Sequence, residues 1–188
     1  MSLKLKVKVG QVTNLSDARY CAGMGVALLG FPVGTGGLDP ATYRQIIDWV
    51  SGPELVLELA HASDLDNVKG GYPGHFIQIA ANHLELLNDK TLQFIVSINA
   101  KEWPSLAPQL KAHQNIQYID VEAAPDELGI VKQINRSFPV FLQMNNTDDL
   151  DEVIAAGITG LSLKGGDEVR PGLRDYGDLA TVLEKLED

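Results

Sequence analysis

Polar side chains that could carry chemistry stand at or near the ends of short apolar runs in this chain. Asp120 and Glu122 close one such run, Lys164 closes another, and Gln78 and Asn145 lie within or just after two more. Neighbouring carboxyl groups can serve as general acid and base, and a desolvated lysine can form a Schiff base with a carbonyl substrate. Amide side chains can orient a polar ligand. We therefore take the two carboxyls and the lysine as candidate catalytic residues, and the two amides as candidate ligand-binding residues.

Glycines supply a second set of candidates. Gly10 ends the first apolar run, and the pair Gly165 and Gly166 follows the last one. Backbone N–H groups at adjacent glycines can approach a phosphate group. A tight turn that needs small residues explains the same pair, so both interpretations stay open. The segment 34–37 (Gly-Thr-Gly-Gly) lacks the Gly-Lys-Ser/Thr ending of a nucleotide-binding loop, and we expect a flexible loop there.

No cofactor or metal site is expected from the sequence. The four histidines are scattered, and no pair of them has the spacing of a zinc site. No dinucleotide-binding fingerprint is present either.

The elements that position these residues alternate along the whole chain. Short apolar runs predict strands at 5–9, 26–31, 55–59, 76–79, 94–98, 116–121, 140–144 and 161–163. Segments of helical period predict helices at 15–23, 40–50, 63–68, 83–87, 103–112, 125–135, 148–156 and 177–186. Strand and helix alternating eight times predict one (β/α)₈ barrel domain over residues 1–188. Such barrels rarely have fewer than about 200 residues, so this barrel must be minimal, with short or missing helices.

Strand alternation predicts an unusually polar barrel interior. Lys8, Glu58, Gln78 and Asp120 all fall on the face opposite the apolar residues of their strands. Mutually satisfied pairs, such as Lys8 with Glu58 or Asp120, would explain this interior structurally. A functional site at the carboxyl ends of the strands would explain it as well, and the two can coexist at different depths.

Overall charge and composition limit the class of partner. The formal net charge is −10, which repels nucleic acid and anionic membranes at long range. No apolar run approaches the roughly 20 residues of a membrane span. The single cysteine, Cys21, rules out an internal disulfide and fits a reducing compartment, so we expect a cytoplasmic protein. Because the charge disfavours nucleic acid and membranes, we expect its partner to be a small molecule. A homodimer is compatible with so small a barrel, although no sequence pattern identifies an interface.

Both ends of the chain resemble phosphoribosylanthranilate isomerase. The opening segment 8–14 (Lys-Val-Gly-Gln-Val-Thr-Asn), followed by Asp17 and Ala18, is similar to the family's Lys-Ile-Cys-Gly-Ile-Thr and Asp-Ala. Segments 165–168 (Gly-Gly-Asp-Glu) and 171–175 (Pro-Gly-Leu-Arg-Asp) resemble its closing motifs. The resemblance implies a barrel of tryptophan biosynthesis. If the chain is active, it implies an intramolecular oxidoreductase that opens a phosphoribosyl ring by Amadori rearrangement, with Asp120 as the general acid.

Several departures from the family fall at one site. The family's general base is a cysteine at the position of Gly10, and glycine cannot move a proton. Cys21 lies in the first predicted helix, where a packing role is expected. The family's arginine after the second strand is missing, and its paired glycines after the seventh strand are replaced by Met144, Asn145 and Asn146. These losses indicate that the ancestral reaction is weak or gone.

Four hypotheses follow from these observations. In the leading one, the barrel has diverged and binds a small metabolite, with or without a phosphate group. In the second, the ancestral isomerisation survives with Glu122 or Glu58 as the base. A third places a different reaction on Lys164, with Asp120 or Glu122 beside it. The last is a purely structural or partner-binding role.

Overall fold

The chain forms a closed barrel of eight parallel strands, which confirms the predicted (β/α)₈ fold. The structure is a computed structural model and describes residues 3–144, 148–165, 167–170, 173–175 and 177–187. Each barrel strand pairs with the next along the chain, and β8 returns to β1. The β1–β8 register runs from Lys6 opposite Gly160 to Gly10 opposite Lys164, which closes the cylinder.

The barrel strands follow the apolar runs of the sequence. Their bounds are β1 Lys6–Gly10, β2 Leu28–Val33, β3 Glu54–Leu59, β4 Phe76–Ala80, β5 Phe94–Asn99, β6 Ile116–Glu122, β7 Val140–Gln143 and β8 Gly160–Lys164. Parallel strands with helices on their outer face are buried on both sides, which is why they read as nearly continuous apolar runs.

Seven α-helices surround the barrel in the described part of the chain. They are α1 Leu15–Gly23, α2 Pro40–Ile47, α3 Leu65–Gly71, α4 Trp103–Lys111, α5 Leu128–Asn135, α6 Leu150–Ala155 and α7 Gly177–Leu186. Asn14 caps α1 by accepting a hydrogen bond from the Asp17 amide, and Asp39 caps α2 before Pro40. Every described helix is too short or too polar to span a membrane.

Two local features differ from the predictions. The connection after β4 is not an α-helix at 83–87 but a 3₁₀ segment, Ala81–Asn88, that kinks at His83. A short antiparallel hairpin, β9 Asp167–Arg170 and β10 Leu173–Asp175, follows β8 and was not predicted. Shorter 3₁₀ turns precede three helices, at Ala62–Asp64, Ala100–Glu102 and Pro125–Glu127. The missing α-helix between β4 and β5 fits the expectation that so short a barrel has short or missing helices.

The interior of the barrel is stacked in layers. Its lower layer is apolar and contains Leu28, Val56, Ile95 and Phe141, all buried. The layer above it is polar and contains the side chains of Lys8, Glu58, Gln78 and Asp120, which strand alternation predicted to face the interior. The larger apolar core lies outside the barrel, between the strands and the helices. The polar layer therefore rests on an apolar floor and faces the end of the barrel where the strands terminate.

Candidate functional site

A buried lysine flanked by two carboxyls lies at the centre of the polar layer. The Nζ of Lys8 is 3.2 Å from Oε1 of Glu58 and 3.8 Å from Oδ2 of Asp120. Lys8 also donates to Oγ of Ser162, 3.5 Å away. Lys8 and Asp120 are each about 2% exposed, so one ammonium and two carboxyls share a poorly solvated space. Both pairings proposed for Lys8 are present, and together they provide the partners that buried charges require.

Glu58 occupies the space beside the two glycines Gly10 and Gly30. A Cβ atom at Gly10 would lie 2.6 Å from Oε1 of Glu58, and one at Gly30 would lie 2.1 Å from it. The Glu58 carboxylate cannot easily move aside, because its other oxygen, Oε2, accepts hydrogen bonds from the backbone N–H and from Nε2 of Gln11, at 3.0 and 2.7 Å. Gly10 is therefore required by packing against a side chain from β3.

Gln11 is a site residue that the sequence did not reveal. Its φ of 58° is the one positive value at a described non-glycine residue. This left-handed conformation is unfavourable for a side chain as long as glutamine and marks a backbone held by its surroundings. The two hydrogen bonds to Glu58 supply that restraint. No local sequence pattern could have signalled it, because the restraint comes from a strand 47 residues away.

Asp120, on β6, accepts hydrogen bonds from amide side chains on β4 and β7. Nε2 of Gln78 donates to Oδ2 of Asp120 at 2.9 Å and to Oγ of Ser97 at 2.8 Å. Nε2 of Gln143 donates to the same Oδ2 at 3.3 Å. Oδ1 of Asp120 and Oε1 of Gln78 are buried without a hydrogen-bond partner among the described residues. A buried acceptor without a hydrogen bond lowers the free energy of unfolding by roughly 1–3 kcal/mol. Both oxygen atoms can therefore accept a hydrogen bond from a ligand.

The shared burial shifts the titration of both central charges. Burial raises the pKa of Asp120, and this effect outweighs the opposing attraction of Lys8. Burial lowers the pKa of Lys8, but the attraction of Asp120 and Glu58 is stronger in sum and leaves the pKa above its ordinary value. Lys8 is therefore charged at neutral pH, whereas Asp120 favours its protonated form more than an exposed aspartate would.

Above the polar layer a cavity of about 630 Å³ opens at the carboxyl ends of the strands. Its volume is in the range of small-molecule sites, and its position is the one used by barrel enzymes. The cavity is lined by residues from all eight strands, including Gly10, Glu58, Gln78, Asp120, Glu122, Gln143 and Lys164. The structure therefore places five of the eight predicted site residues around a single space: Gly10, Gln78, Asp120, Glu122 and Lys164.

The two charged candidates at the rim are more exposed than the central cluster. Glu122 and Lys164 both line the cavity with exposed side chains. A Schiff-base lysine is usually desolvated or placed beside another cation, so this position does not favour that role for Lys164. The N–H of Gly165 donates to the carbonyl oxygen of Gly10 at 2.8 Å and is engaged in holding β1 to the end of β8. Asn145 and Gly166 lie outside the described residues.

The glycine-rich loop after β2 forms one wall of the cavity and is anchored. Oδ2 of Asp64 accepts a hydrogen bond from the Thr35 amide at 2.8 Å, and Oδ1 accepts one from the Thr35 hydroxyl at 2.9 Å. The Thr35 amide lowers the pKa of Asp64, which keeps this carboxyl ionised. An ionised carboxylate at the base of the loop disfavours a phosphate there. The same two hydrogen bonds tether the loop at 34–37, which the sequence had led us to expect to be flexible.

Neither cysteine chemistry nor a metal cluster is found in the described part of the chain. Cys21 is buried in α1, and burial raises the pKa of its thiol to about 12. It therefore stays a thiol at neutral pH, as a packing residue would. Among the residues that the structure describes, no three His, Cys, Asp or Glu side chains are grouped so as to hold a metal ion.

Comparisons with known proteins identify the fold and no closer relationship. No protein-family model matches the chain, and no curated protein matches its sequence. Phosphoribosylanthranilate isomerase from Thermotoga maritima superposes with a TM-score of 0.73 at 13% identity, over 97% of this chain and 98% of that one. TrpF from Jonesia denitrificans gives 0.72 at 14% identity, over 96% and 95%. Thiamine phosphate pyrophosphorylase from Pyrococcus furiosus gives 0.61 at 14% identity, over 98% of each chain. At these identities the chain shares with them a (β/α)₈ barrel, with the isomerases among its most similar structures.

Proposed function

We propose that this barrel is a diverged relative of phosphoribosylanthranilate isomerase that binds a small polar metabolite, with or without a phosphate group. The observation that carries the proposal is the cavity of about 630 Å³, whose deep end contains a buried, charged cluster with two unmet acceptor atoms. Unmet buried acceptors beneath an open cavity are atoms that a ligand entering the cavity can satisfy. Bringing polar side chains together at the carboxyl ends of the strands is the usual arrangement of a barrel ligand site.

The packing around Gly10 supports loss or weakening of the ancestral isomerisation. The family's basic cysteine would have to occupy the volume that the Glu58 carboxylate fills, 2.6 Å from the nearest atom of an added side chain. Cys21 offers no thiolate to take its place. The family's reaction would therefore need a base of another kind and from another strand.

An active isomerase with a replacement base is the second candidate function, and Asp120 favours it. A carboxyl whose pKa is raised by burial keeps its proton to a higher pH than an exposed aspartate, which is the direction that a general acid requires. Of the two suggested bases, Glu58 already accepts hydrogen bonds from Lys8 and Gln11. Glu122 lies at the rim with an exposed side chain, so it is the freer of the two to meet a substrate.

Ligand binding is tested by thermal unfolding in the presence of a panel of sugars and sugar phosphates. A ligand at 100 times its Kd stabilises the fold by about 2.7 kcal/mol. For a domain of this size that stabilisation corresponds to a rise in Tm of roughly 5–11 °C. The rise should shrink in the Asp120→Asn variant and persist in Asp48→Asn, which makes the same charge change at an exposed residue outside the cavity. If no member of the panel raises the Tm of the wild-type protein, the binding proposal is wrong.

The isomerase alternative is tested by turnover of phosphoribosylanthranilate. Wild-type turnover above the buffer rate that is abolished by Asp120→Asn and reduced by Glu122→Gln would support it. Turnover no better than buffer in all three proteins would contradict the isomerase alternative and leave binding as the one proposed function.

A further inference from the structure

The orientation of the Gln78 side chain is determined by its neighbours. Its Nε2 donates to the hydroxyl of Ser97 at 2.8 Å and to Oδ2 of Asp120 at 2.9 Å, so both amide hydrogens are used. Rotating the amide would put its oxygen against an atom that also accepts from Gln143 and lies 3.8 Å from Lys8. Oε1 of Gln78 is therefore held in one position, and it can only accept a hydrogen bond.

Asp120 presents its second oxygen in the same way. Lys8, Gln78 and Gln143 all contact its carboxyl group through Oδ2, and the Ser162 hydroxyl is close enough to act against the rise in its pKa. Oδ1 is buried without a partner among the described residues, on a side chain that is 3% exposed and lines the cavity. Two acceptor atoms, on residues joined by a hydrogen bond, are thus left unmet at the deep end of the cavity.

Charge at this depth opposes an anion. The single ammonium of Lys8 already lies between Glu58 and Asp120. The backbone N–H of Gln11, which could otherwise face an anion, donates to Glu58. Among the described residues that line the cavity, the other cationic side chain is that of Lys164, which is exposed at the rim.

We infer that Gln78 and Asp120 form a subsite for a hydroxyl or amino group of the ligand, and that any anionic group of the ligand binds toward the rim. The inference rests on the proposed binding function and specifies which end of the ligand enters the cavity first. The ligand class that fits is a polyol or amino-polyol that enters the cavity with its uncharged or cationic end first. Oε1 of Gln78 accepts one hydrogen bond from that end, and Oδ1 of Asp120 is the adjoining contact.

Binding measurements with three probes test the subsite. Ribitol supplies hydroxyl groups without an anion, inorganic phosphate supplies the anion without a polyol, and ribitol 5-phosphate supplies both. Titration calorimetry on the wild-type protein and on Gln78→Met should show roughly tenfold weaker binding of both polyols in the variant, which corresponds to the loss of one hydrogen bond. Phosphate affinity should stay unchanged. Gln117→Met is the matched control, because Gln117 lies on the same strand as Asp120 but bonds to Gln93 away from the cavity.

The outcomes separate the inference from the proposal on which it rests. Polyol binding that is equally strong in wild type and Gln78→Met would overturn the subsite and leave the binding function intact. No binding of any probe to the wild-type protein would overturn both. Because Gln78→Met also removes a donor to Asp120, a crystal structure with ribitol 5-phosphate supplies a second readout. A hydroxyl within hydrogen-bond distance of Gln78 Oε1 is the expected result, and a phosphate at that position would contradict the inference.

Discussion

Among single residues, Gly10 and Glu58 have the clearest mutual dependence. A cysteine at position 10 would force the Glu58 carboxylate out of its bonds with Lys8 and Gln11. We expect Gly10→Cys to lower the free energy of unfolding by about 1–3 kcal/mol, the usual cost of overpacking a well-filled site. In a Glu58→Ala background the same substitution should cost less, because the carboxylate that it would displace is gone. Urea denaturation of the four proteins of this cycle measures the coupling.

Gly129→Ala provides the control for that cycle. Gly129 lies in α5, and an added Cβ there would meet no atom within 4 Å. Alanine at this helical position should stabilise the protein by roughly 0.5–1 kcal/mol. Equal costs of Gly10→Cys with and without Glu58 would show that the two positions do not compete for space.

The raised pKa of Asp120 predicts how stability depends on pH. A group whose pKa is higher in the folded state contributes stability that is present below its unfolded pKa, about 3.9, and is lost as the pH rises through the folded value. Asp120→Asn removes this titration and leaves Lys8 paired with Glu58. The stability of the variant relative to wild type should therefore increase with pH above about 4, by about 1.4 kcal/mol for each pKa unit of the shift. The raised pKa of Lys8 changes the free energy of unfolding only above pH 10.5, which is far above the pH range in which Asp120 titrates.

Denaturant unfolding at intervals from pH 4 to pH 8 measures this difference. Asp48→Asn changes the net charge equally at an exposed position and should show a flat difference from wild type. A difference for Asp120→Asn that stays constant or falls over this range would mean that burial does not control the titration of Asp120.

At the scale of the element, the sequence predicted whatever depends on local periodicity. Each barrel strand appeared as an apolar run, and α1 and α7 have the bounds expected from their apolar spacing and, for α1, its cap. The hairpin formed by β9 and β10 was missed, because its sequence is charged and has no apolar alternation to signal a strand. The segment Ala81–Asn88 has helical composition, but its backbone leaves helical geometry at His83 (φ −122°, ψ 30°), and it folds as 3₁₀ turns.

In the candidate site, too, the sequence predicted the features that depend on local periodicity and missed those that depend on distant contacts. Strand alternation alone placed Lys8, Glu58, Gln78 and Asp120 in the barrel, and all four lie there. The left-handed backbone of Gln11 and the tether between Thr35 and Asp64 could not be predicted, because each depends on contacts between distant segments. The chemistry of the deep end of the cavity thus depends on tertiary contacts that no single segment encodes.

At the scale of the whole molecule, the two ends of the chain meet and close the fold. The Lys4 amide donates to the carbonyl oxygen of Leu186 at 2.9 Å, and Leu3 forms a bridge with Glu187. In α7, Leu183 is fully buried in the apolar core outside the barrel. Leu183→Ala should therefore lower the free energy of unfolding by about 2–5 kcal/mol, the cost of a cavity in a packed core.

The loss should be felt by the whole barrel and not by α7 alone. In a closed cylinder each strand depends on both neighbours, so a defect near the junction of the chain ends should lower the stability of the opposite side as well. Urea unfolding followed by the fluorescence of buried Trp103, in a Trp49→Phe background, should coincide with unfolding followed by far-UV circular dichroism. The neighbouring exposed change Glu184→Ala should leave both midpoints in place. A Trp103 transition that remains at its wild-type midpoint while the circular dichroism signal moves would show that α7 unfolds separately from the barrel.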